Sequence, residues 1–207
     1  MKKVNFAVIY YSSTGTNYQM AKWAEEAAKE AGAAEVKLFK VPELAPQEAI
    51  SANEDWKKHL EETKDVPEVS LDDLEKADAV IFSAPTRYGN LPSQLKQFLD
   101  TTGGLWFNGK LTNKVISGMT SAENIHGGQE TTLLSLYKTM FHWGCIVVTP
   151  AYTDEVMFAA GGNPYGVSVT AGKENLNDKV KKAIAHQVKR TLQIAGWVKA
   201  GKEEQSS

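Results

Sequence analysis

An apolar strand that runs directly into a hydroxyl-rich turn is the feature that most constrains this chain. The strand residues begin near Val4 and end at Tyr11, and an amphipathic helical pattern starts a few residues later. A strand, turn and helix joined this closely are typical of α/β folds, in which the turn lies at the carboxyl edge of a parallel sheet. The turn comprises Ser12, Ser13, Thr14, Gly15, Thr16 and Asn17.

This turn is suited to bind a phosphate. Its hydroxyls can donate hydrogen bonds, Gly15 lets the backbone approach a ligand closely, and the unpaired N–H groups of the helix's first turn carry partial positive charge. The turn contains no lysine and does not match G-x-x-x-x-G-K-[ST], which argues against a nucleoside triphosphate with magnesium and favours one terminal phosphate. A plain helix cap is the alternative, because Ser, Thr and Asn are also preferred at helix starts.

The length and charge of the chain indicate one domain that binds small molecules. With 207 residues the chain suits a single unit over 1–200, with an insertion at about 42–70 and a polar tail at 201–207. A formal net charge of -2 gives no electrostatic reason to bind nucleic acid or an anionic membrane. Because no apolar run approaches the ~20 residues that span a bilayer and the N-terminus is unlike a signal peptide, we expect a cytoplasmic protein.

Five short apolar runs rich in β-branched residues alternate with helical patterns, which predicts a sheet of five parallel strands. The second run mixes charge into its hydrophobic pattern and suits an edge strand, whereas the others are nearly continuous, as buried parallel strands are. Cys145, the only cysteine, lies in the fifth run and is expected to be buried and unreactive. The runs are 4–11, 36–41, 79–83, 115–119 and 145–148.

Helical periodicity covers 18–31 and 177–198, and further helices are predicted to begin near Pro92 and near Gln129. The segment 42–70 is different, because it is polar, contains three prolines and shows one weakly amphipathic stretch. A connection this long usually serves a binding site or a subunit contact, although solvated surface is the simpler interpretation for any one of its residues.

Three loops fall at the carboxyl ends of the predicted strands, where open parallel sheets bind their ligands. The hydroxyl turn follows the first strand, residues 84–92 follow the third, and residues 120–129 follow the fourth. Arg87 and Tyr88 place a planar cation beside a ring that can stack on a flat ligand. The loops are therefore predicted to form one site, whose chemistry belongs to a cofactor because no nucleophile motif is present.

Trp106 and Phe107 stand in a glycine-flanked loop, outside any apolar periodicity. Two large rings in such a place either cover the core or a subunit interface, or form a wall over a flat cofactor or substrate. Both interpretations stay open, and at an oligomer interface both can hold.

The histidines show no metal-binding spacing, so no metal centre is expected. His59 and His186 fall on polar helical faces and are expected to be solvated, whereas His126 lies in the glycine-rich loop after the fourth strand. His142 ends a helix just before the fifth strand, and the residues alone favour a packing role at that helix end.

Four motifs, by their order and spacing, resemble the WrbA family of NAD(P)H:quinone oxidoreductases. The first is shared with flavodoxins at large, but the set together is specific to the family. The resemblance extends from the first strand to at least Gly172. The motifs are Tyr10-Tyr-Ser-Ser-Thr-Gly-Thr-Asn17, Pro85-Thr-Arg-Tyr-Gly-Asn90, Thr102-Gly-Gly-Leu-Trp106 and Gly127-Gly-Gln-Glu-Thr-Thr132.

The resemblance implies a flavodoxin-like α/β fold, a three-layer sandwich with a five-stranded parallel sheet of order 2-1-3-4-5, which binds FMN. It also implies a homotetramer whose sites lie near subunit junctions. The hydroxyl turn would hold the FMN phosphate, and Trp106, Thr14 and His142 would border the substrate pocket, which reverses the packing interpretation of His142. The implied FMN-binding residues are Ser12, Ser13, Thr14, Gly15, Thr16, Asn17, Thr86, Arg87, Tyr88, Gly89, Asn90, Ser121, Ala122, Asn124, Ile125, Gly127 and His142.

The function implied is an FMN-dependent NAD(P)H:quinone oxidoreductase. A hydride from NADH or NADPH would reach a quinone through flavin N5, with donor and acceptor alternating in one pocket. A flavodoxin-type electron carrier and a flavin-dependent interaction module are the alternatives, and the near-neutral charge with the aromatic pair favours the enzyme. The chain departs from the family at 121–126, which is longer and bulkier, and His126 is a candidate for an additional role there.

Overall fold

A parallel sheet in the order β2-β1-β3-β4-β5 forms the centre of the molecule. The structure is a computed structural model that describes residues 3–204, without the side chains of Lys173 and Glu203. Every strand pair is parallel, so the predicted flavodoxin-like topology and the edge position of the second strand are both confirmed. The strands are β1 (Asn5–Tyr10), β2 (Glu35–Lys40), β3 (Ala79–Pro85), β4 (Val115–Ala122), β5 (Ile146–Val147) and β6 (Ser168–Thr170).

The fifth strand position is occupied by two short pieces. β5 pairs with Val115 and Ile116 at the start of β4, and β6 pairs with 120–122 at its end. The prediction of one strand at 145–148 therefore captured only the first piece. Between the pieces, the buried Gln187 side chain replaces ladder hydrogen bonds, because its amide donates to the Gly118 carbonyl at 2.8 Å and accepts from the Val167 N–H at 2.8 Å.

Helices cover both faces of the sheet and complete the predicted three layers. α1 and α9 pack on one face, against strand residues such as Val8, and α5 and α7 pack on the other, against residues such as Ile9. The helices are α1 (Thr16–Glu30), α2 (Gln47–Ser51), α3 (Glu54–Glu62), α4 (Leu71–Lys76), α5 (Ser93–Asp100), α6 (Gly103–Phe107), α7 (Gln129–His142), α8 (Glu155–Ala159) and α9 (Asp178–Glu204), with a 3₁₀ turn at Lys173–Asn175.

Two predictions of chain ends and loops are wrong. The tail predicted at 201–207 is helical as far as Glu204, because α9 continues beyond its apolar stripe, and 205–207 lie outside the described residues. Trp106 and Phe107 belong to the short helix α6 rather than to a loop. Across residues 3–204, no helix combines the length and the apolar character needed to cross a bilayer.

The segment 42–70 folds over the β2 edge of the sheet. It forms α2 and α3, and it returns through a parallel bridge between Lys40 and Glu68. The predicted solvation of His59 is wrong, because this α3 side chain is only 5 % exposed and packs on the Tyr18 ring. The local charge pattern around His59 does not reveal that α3 turns this face toward α1.

Candidate functional site

A cleft of about 510 Å³ opens at the carboxyl edge of the sheet, between the loops that follow β1, β3 and β4. This volume falls within the range of small-molecule and cofactor sites. The structure therefore brings the three predicted loops together around one cavity. Its lining comprises Ser12, Ser13, Thr14, Thr16, Asn17, Pro85, Thr86, Arg87, Tyr88, Ser121, Ala122, Glu123, Asn124, Gly127 and Ala171.

The first loop presents a helix start without a side-chain cap. Gly15 is the N-cap of α1, with a left-handed φ of 99°, and α1 receives no side-chain cap hydrogen bond. The Ser12 hydroxyl instead accepts from the Gly15 N–H at 3.0 Å, inside the loop. Because the N–H groups of a helix's first turn lack intrahelical acceptors, those of Thr16 and Asn17 are left for a ligand. This arrangement favours the phosphate interpretation of the turn over the plain helix cap.

The Asn17 side chain ties the first loop to two other strands. It is 1 % exposed, its amide nitrogen donates to the Ser83 hydroxyl at 3.2 Å, and its oxygen accepts from the Ser121 hydroxyl at 2.6 Å. The Ser83 hydroxyl also donates to the Asn17 carbonyl at 3.1 Å. The buried Asn17 side chain thus fixes the loop, and a ligand can reach this residue only through its main-chain N–H.

The second loop is a tight two-residue turn. The Arg87 and Asn90 main chains exchange hydrogen bonds at 2.8 and 2.9 Å, and both Tyr88 (φ 52°) and Gly89 (φ 75°) are left-handed, as a type I′ turn requires. This turn leaves the Tyr88 ring completely exposed at the cleft. The Arg87 guanidinium extends across the cleft and lies 3.4 Å from the Ser13 hydroxyl oxygen.

The second and third loops touch through their glycines. A Cβ on Gly128 would lie 2.7 Å from the Gly89 Cα, so the two backbones can approach only because neither residue has a side chain. Nearby, the Thr132 hydroxyl donates to the Thr86 hydroxyl at 2.6 Å, and the Gly89 N–H donates to Thr86 Oγ1 at 3.1 Å. These contacts set the width of the cleft between the two loops.

The tip of the third loop is solvent-exposed. Glu123, Asn124, Ile125 and His126 all lie on the surface, and the Ile125 side chain is 76 % exposed. Folding back of the loop depends on Gly127, where a Cβ would lie 2.4 Å from the Ala122 Cβ.

Three residues that line the cleft, Pro85, Glu123 and Ala171, were not among the residues predicted to bind FMN. Glu123 was passed over because the resemblance supplied no acidic partner at that position. Ala171 follows β6, a strand that the sequence pattern does not predict. Its N–H donates to the Ala122 carbonyl at 2.7 Å. Residues 168–170 are too few to show alternation, so the sequence carries no signal for Ala171.

Glu43, outside the cleft lining, braces the first loop from behind. Its carboxylate accepts from the Tyr11 hydroxyl at 3.1 Å, the Trp56 indole at 3.0 Å and the Gln94 amide at 2.6 Å, and from the N–H groups of the next two residues. Burial opposes ionisation, but these donated hydrogen bonds outweigh it and hold the pKa of Glu43 below its usual value. One ionised carboxylate therefore joins the segment 42–70 to Tyr11, just after β1, and to α5.

Trp106 and His142 are not brought to this cleft within one chain. α7 starts beside the cleft and runs away from it for 14 residues, which places its last residue His142 about 21 Å further along the helix axis. The Trp106 indole donates to the His142 carbonyl at 2.8 Å, so the two residues lie together. They are near the amino ends of the strands, on the opposite side of the molecule from the cleft. Both are exposed there, beside Phe107 and Phe141, which are 82 % and 63 % exposed.

The remaining candidate residues lie elsewhere. His186 accepts or donates to the Thr153 hydroxyl at 2.8 Å on α9, away from the cleft lining. Burial raises the pKa of the Cys145 thiol to about 12, so this cysteine is unreactive, although it is half-buried rather than fully buried. Over the part of the chain that the structure describes, no three His, Cys, Asp or Glu side chains cluster as a metal site would require.

Comparisons with known proteins agree with this geometry. A family model described as NADPH-dependent FMN reductase matches residues 4–156. A protein of Deinococcus radiodurans named NAD(P)H dehydrogenase (quinone) is 53 % identical over 92 % of this chain and 95 % of its own length. A protein of the same name from Aromatoleum aromaticum is 42 % identical over 80 % of this chain and 81 % of its own.

The solved structure of a WrbA-like flavodoxin from Agrobacterium tumefaciens shares the fold. It has a TM-score of 0.63 at 21 % identity, and the match covers 93 % of this chain and 98 % of that one. One assignment follows from the loop that precedes α1, from the second and third loops with their fixed glycines, and from these matches. The chain belongs to the NADPH-dependent FMN reductase family, among the relatives named NAD(P)H dehydrogenase (quinone).

Proposed function

We propose that this chain, an FMN-dependent NAD(P)H:quinone oxidoreductase by family, holds FMN in the 510 Å³ cleft at the carboxyl edge of its sheet. The observation that carries the proposal is the start of α1, which lies under a loop of hydroxyl side chains and has no side-chain cap. Neutral donors of this kind suit one phosphomonoester, and the adjoining cleft is large enough for a flat ring system.

The phosphate would lie against Ser13, Thr14 and Thr16, whose side chains line the cleft, and against the first N–H groups of α1. Ser12 and Asn17 would act indirectly. The Ser12 hydroxyl fixes the Gly15 N–H, and the buried Asn17 amide fixes the whole loop to β3 and β4.

The isoalloxazine ring would lie between the second and third loops. FMN supplies the redox chemistry when bound, since it can take up a hydride and release it again. The chain's contribution is to position the ring and to place the Arg87 guanidinium and backbone N–H groups where negative charge develops. The ring-contacting residues we assign are Thr86, Arg87, Tyr88, Gly89, Asn90, Ser121, Ala122, Asn124, Ile125 and Gly127.

The substrate pocket is incomplete in one chain. Tyr88 and Thr14 are exposed at the cleft, whereas Trp106 and His142 lie at the opposite edge of the sheet. We therefore assign Trp106 and His142 to the cleft of a neighbouring subunit in a homotetramer. The exposed Phe107 and Phe141 rings beside them support an interface at that edge. The substrates of this pocket would be NADH or NADPH and a quinone, and the cytoplasmic location stays a prediction from the sequence.

Titration of flavin-free protein with FMN tests the proposal most directly. Calorimetry should show one FMN bound per chain, and riboflavin, which lacks the phosphate, should bind at least tenfold more weakly, since several donors would contact the phosphate. Equal affinity for the two flavins, or no uptake of FMN by folded protein, would overturn the assignment of the first loop.

Steady-state kinetics test turnover. With FMN bound, NAD(P)H oxidation by benzoquinone should give parallel double-reciprocal plots, as expected when donor and acceptor alternate in one pocket. A flavodoxin-type carrier or an interaction module would show negligible turnover.

A further inference from the structure

We propose that His59 is a proton-linked counter-charge for the FMN phosphate: in its protonated form it strengthens phosphate binding from behind Gly15. This inference rests on the proposed function, since it concerns the same phosphate. It assigns a role to α3, the helix of the 42–70 segment that lies against the first loop.

The contact between His59 and the first loop is close. His59 Nδ1 lies 3.6 Å from the point where a Cβ of Gly15 would stand, and Gly15 is the N-cap of α1. The imidazole packs on Tyr18, in the first turn of α1, with ring centroids 5.4 Å apart. The imidazole therefore lies against the N-cap residue that precedes the N–H groups proposed to contact the phosphate.

A small cavity adjoins the imidazole. It encloses about 80 Å³, enough for water, and is bordered by Ser12 of the first loop and by Tyr10. The Tyr10 hydroxyl is buried and forms no hydrogen bond among residues 3–204, and the Thr63 hydroxyl, which borders the same cavity, donates to the His59 carbonyl at 2.8 Å. His59 and Ser12 therefore border the same cavity, and the Ser12 hydroxyl accepts from the Gly15 N–H.

The pKa of His59 lies below its ordinary value while no anion is bound, chiefly because the ring is buried. Burial lowers the pKa of His59, the Glu62 carboxylate raises it, and the Lys40 ammonium lowers it. Other titratable groups contact the ring or border the same cavity, namely the hydroxyls of Tyr10, Tyr11 and Tyr18 and the carboxylates of Glu43 and Glu68.

A phosphate dianion in front of Gly15 reverses this balance. Opposite charges a few ångströms apart favour the charged form, so bound FMN should raise the pKa of His59. By linkage, protonation of His59 must raise FMN affinity by the same factor. The sign follows: the extra affinity is present at low pH and is lost as the pH rises through the pKa that His59 has in the FMN complex. The first loop itself carries no lysine or arginine, and the Arg87 guanidinium reaches its Ser13 hydroxyl from the second loop at 3.4 Å, so a protonated His59 would add a second cation on the α3 side of the loop.

The experiment compares FMN dissociation constants of the full-length protein and His59→Gln between pH 5.5 and 8.5. We expect the variant to bind FMN about tenfold more weakly at the acidic end, which corresponds to a shift of one pKa unit, and to match the original protein at pH 8.5. His59→Phe, which keeps a ring against Tyr18, should behave in the same way. Taking the ratio of the two proteins at each pH removes the titration of the FMN phosphate itself.

Two controls separate charge from packing. Riboflavin has no phosphate, so its affinity should be unchanged in both variants at every pH. His186→Gln removes a histidine remote from the cleft and should retain the original pH profile. A loss of FMN affinity that is the same at every pH, or an equal loss for riboflavin, would mean that His59 only supports the loop mechanically.

Titration of the His59 ring by NMR gives a second measurement that needs no variant. Its pKa should rise when FMN binds and stay unchanged with riboflavin, and a pKa that FMN leaves unchanged would overturn the inference. The two proposals fail differently: if the original protein takes up no FMN, the proposed function fails, whereas normal FMN binding without proton linkage refutes only the role of His59.

Discussion

The first and third loops of the cleft are built in opposite ways. The β1–α1 loop is anchored by the buried Asn17 side chain, by the Glu43 brace behind Tyr11 and by His59 beneath Gly15. The tip of the β4–α7 loop, at 123–126, has only exposed side chains. The first loop, which offers neutral donors to a phosphate, is therefore fixed by several buried contacts. The third loop is held mainly by the glycines at its base.

This difference teaches which part of the site is fixed and which is free to vary. The phosphate group is the same in every FMN molecule. Its hydrogen-bond donors must be held in a fixed geometry, because each donor contributes little to binding without it. The exposed tip can change without disturbing the core, which agrees with its departure from the family pattern in length and bulk.

We expect Asn17→Ala to lower the free energy of unfolding the most, and a small loss would contradict the comparison of the two loops. The change removes the side chain that joins the first loop to both Ser83 and Ser121 and leaves these buried hydroxyls without that partner. We expect a loss of about 3 kcal/mol of unfolding free energy, because unpaired buried polar groups are costly. Urea unfolding measures the loss, and a value below about 0.5 kcal/mol would show that the loop does not depend on Asn17.

Gly128→Ala tests the base of the third loop and should rank second. Its Cβ would meet the Gly89 Cα at 2.7 Å, at a residue whose φ is 85°. The left-handed conformation alone costs about 1–2 kcal/mol for a residue with a Cβ, and the contact must widen the gap between the second and third loops. FMN affinity and unfolding free energy should both fall. Gly32→Ala is the matched control, because it also has a positive φ but meets nothing within 4 Å.

Glu43→Gln tests the brace behind the first loop and has a pH signature. Because the pKa of Glu43 is lowered in the folded protein, its ionised form stabilises the fold above the ordinary carboxyl pKa, and this stabilisation is lost as the pH falls through the lowered value. We expect the variant to lose about 1–2 kcal/mol at pH 7, since the carboxylate accepts several hydrogen bonds. Thermal unfolding from pH 7 to pH 3 should show the two proteins converge in acid, and a constant difference would contradict this account.

Substitutions in the exposed tip of the third loop should have the smallest effect on unfolding free energy and FMN affinity. They test whether this tip contributes less than the first loop. Glu123→Gln and His126→Ala remove exposed side chains, so the unfolding free energy should change by less than about 0.5 kcal/mol. FMN affinity should change by less than about threefold, measured by fluorescence quenching, because exposed single contacts contribute little. A loss comparable with that of Asn17→Ala would mean that the two loops are equally essential.

Much of the fold was predictable from the sequence, because its signals are local. Continuous apolar runs marked the buried strands, the charged run marked the edge strand β2, and Pro92 and Gln129 marked the helices α5 and α7. The second half of the fifth strand was not predictable, since three residues, 168–170, are too short to show alternation. The order of the strands came from family resemblance rather than from periodicity.

The candidate site was predictable in its loops but not in its supports. Glycines and hydroxyls in the three loops indicate ligand binding from the sequence alone, and the structure gathers them around one cleft. The burial of His59 and the convergence on Glu43 depend on how α3 packs, and residue spacing within 42–70 carries no information about that packing. The separation of His142 from the cleft follows from the direction of α7, which the sequence also left open.

The interrupted fifth strand has a consequence for how these molecules meet at high concentration. A long, straight border strand would expose a row of backbone donors and acceptors to which a foreign strand could attach. Here that border consists of two pieces of two and three residues, separated by the Gln187 side chain, and the opposite border strand carries Lys37 and Lys40. Neither side is a good template for lateral growth, so the sheet is protected against fibril formation by its own topology.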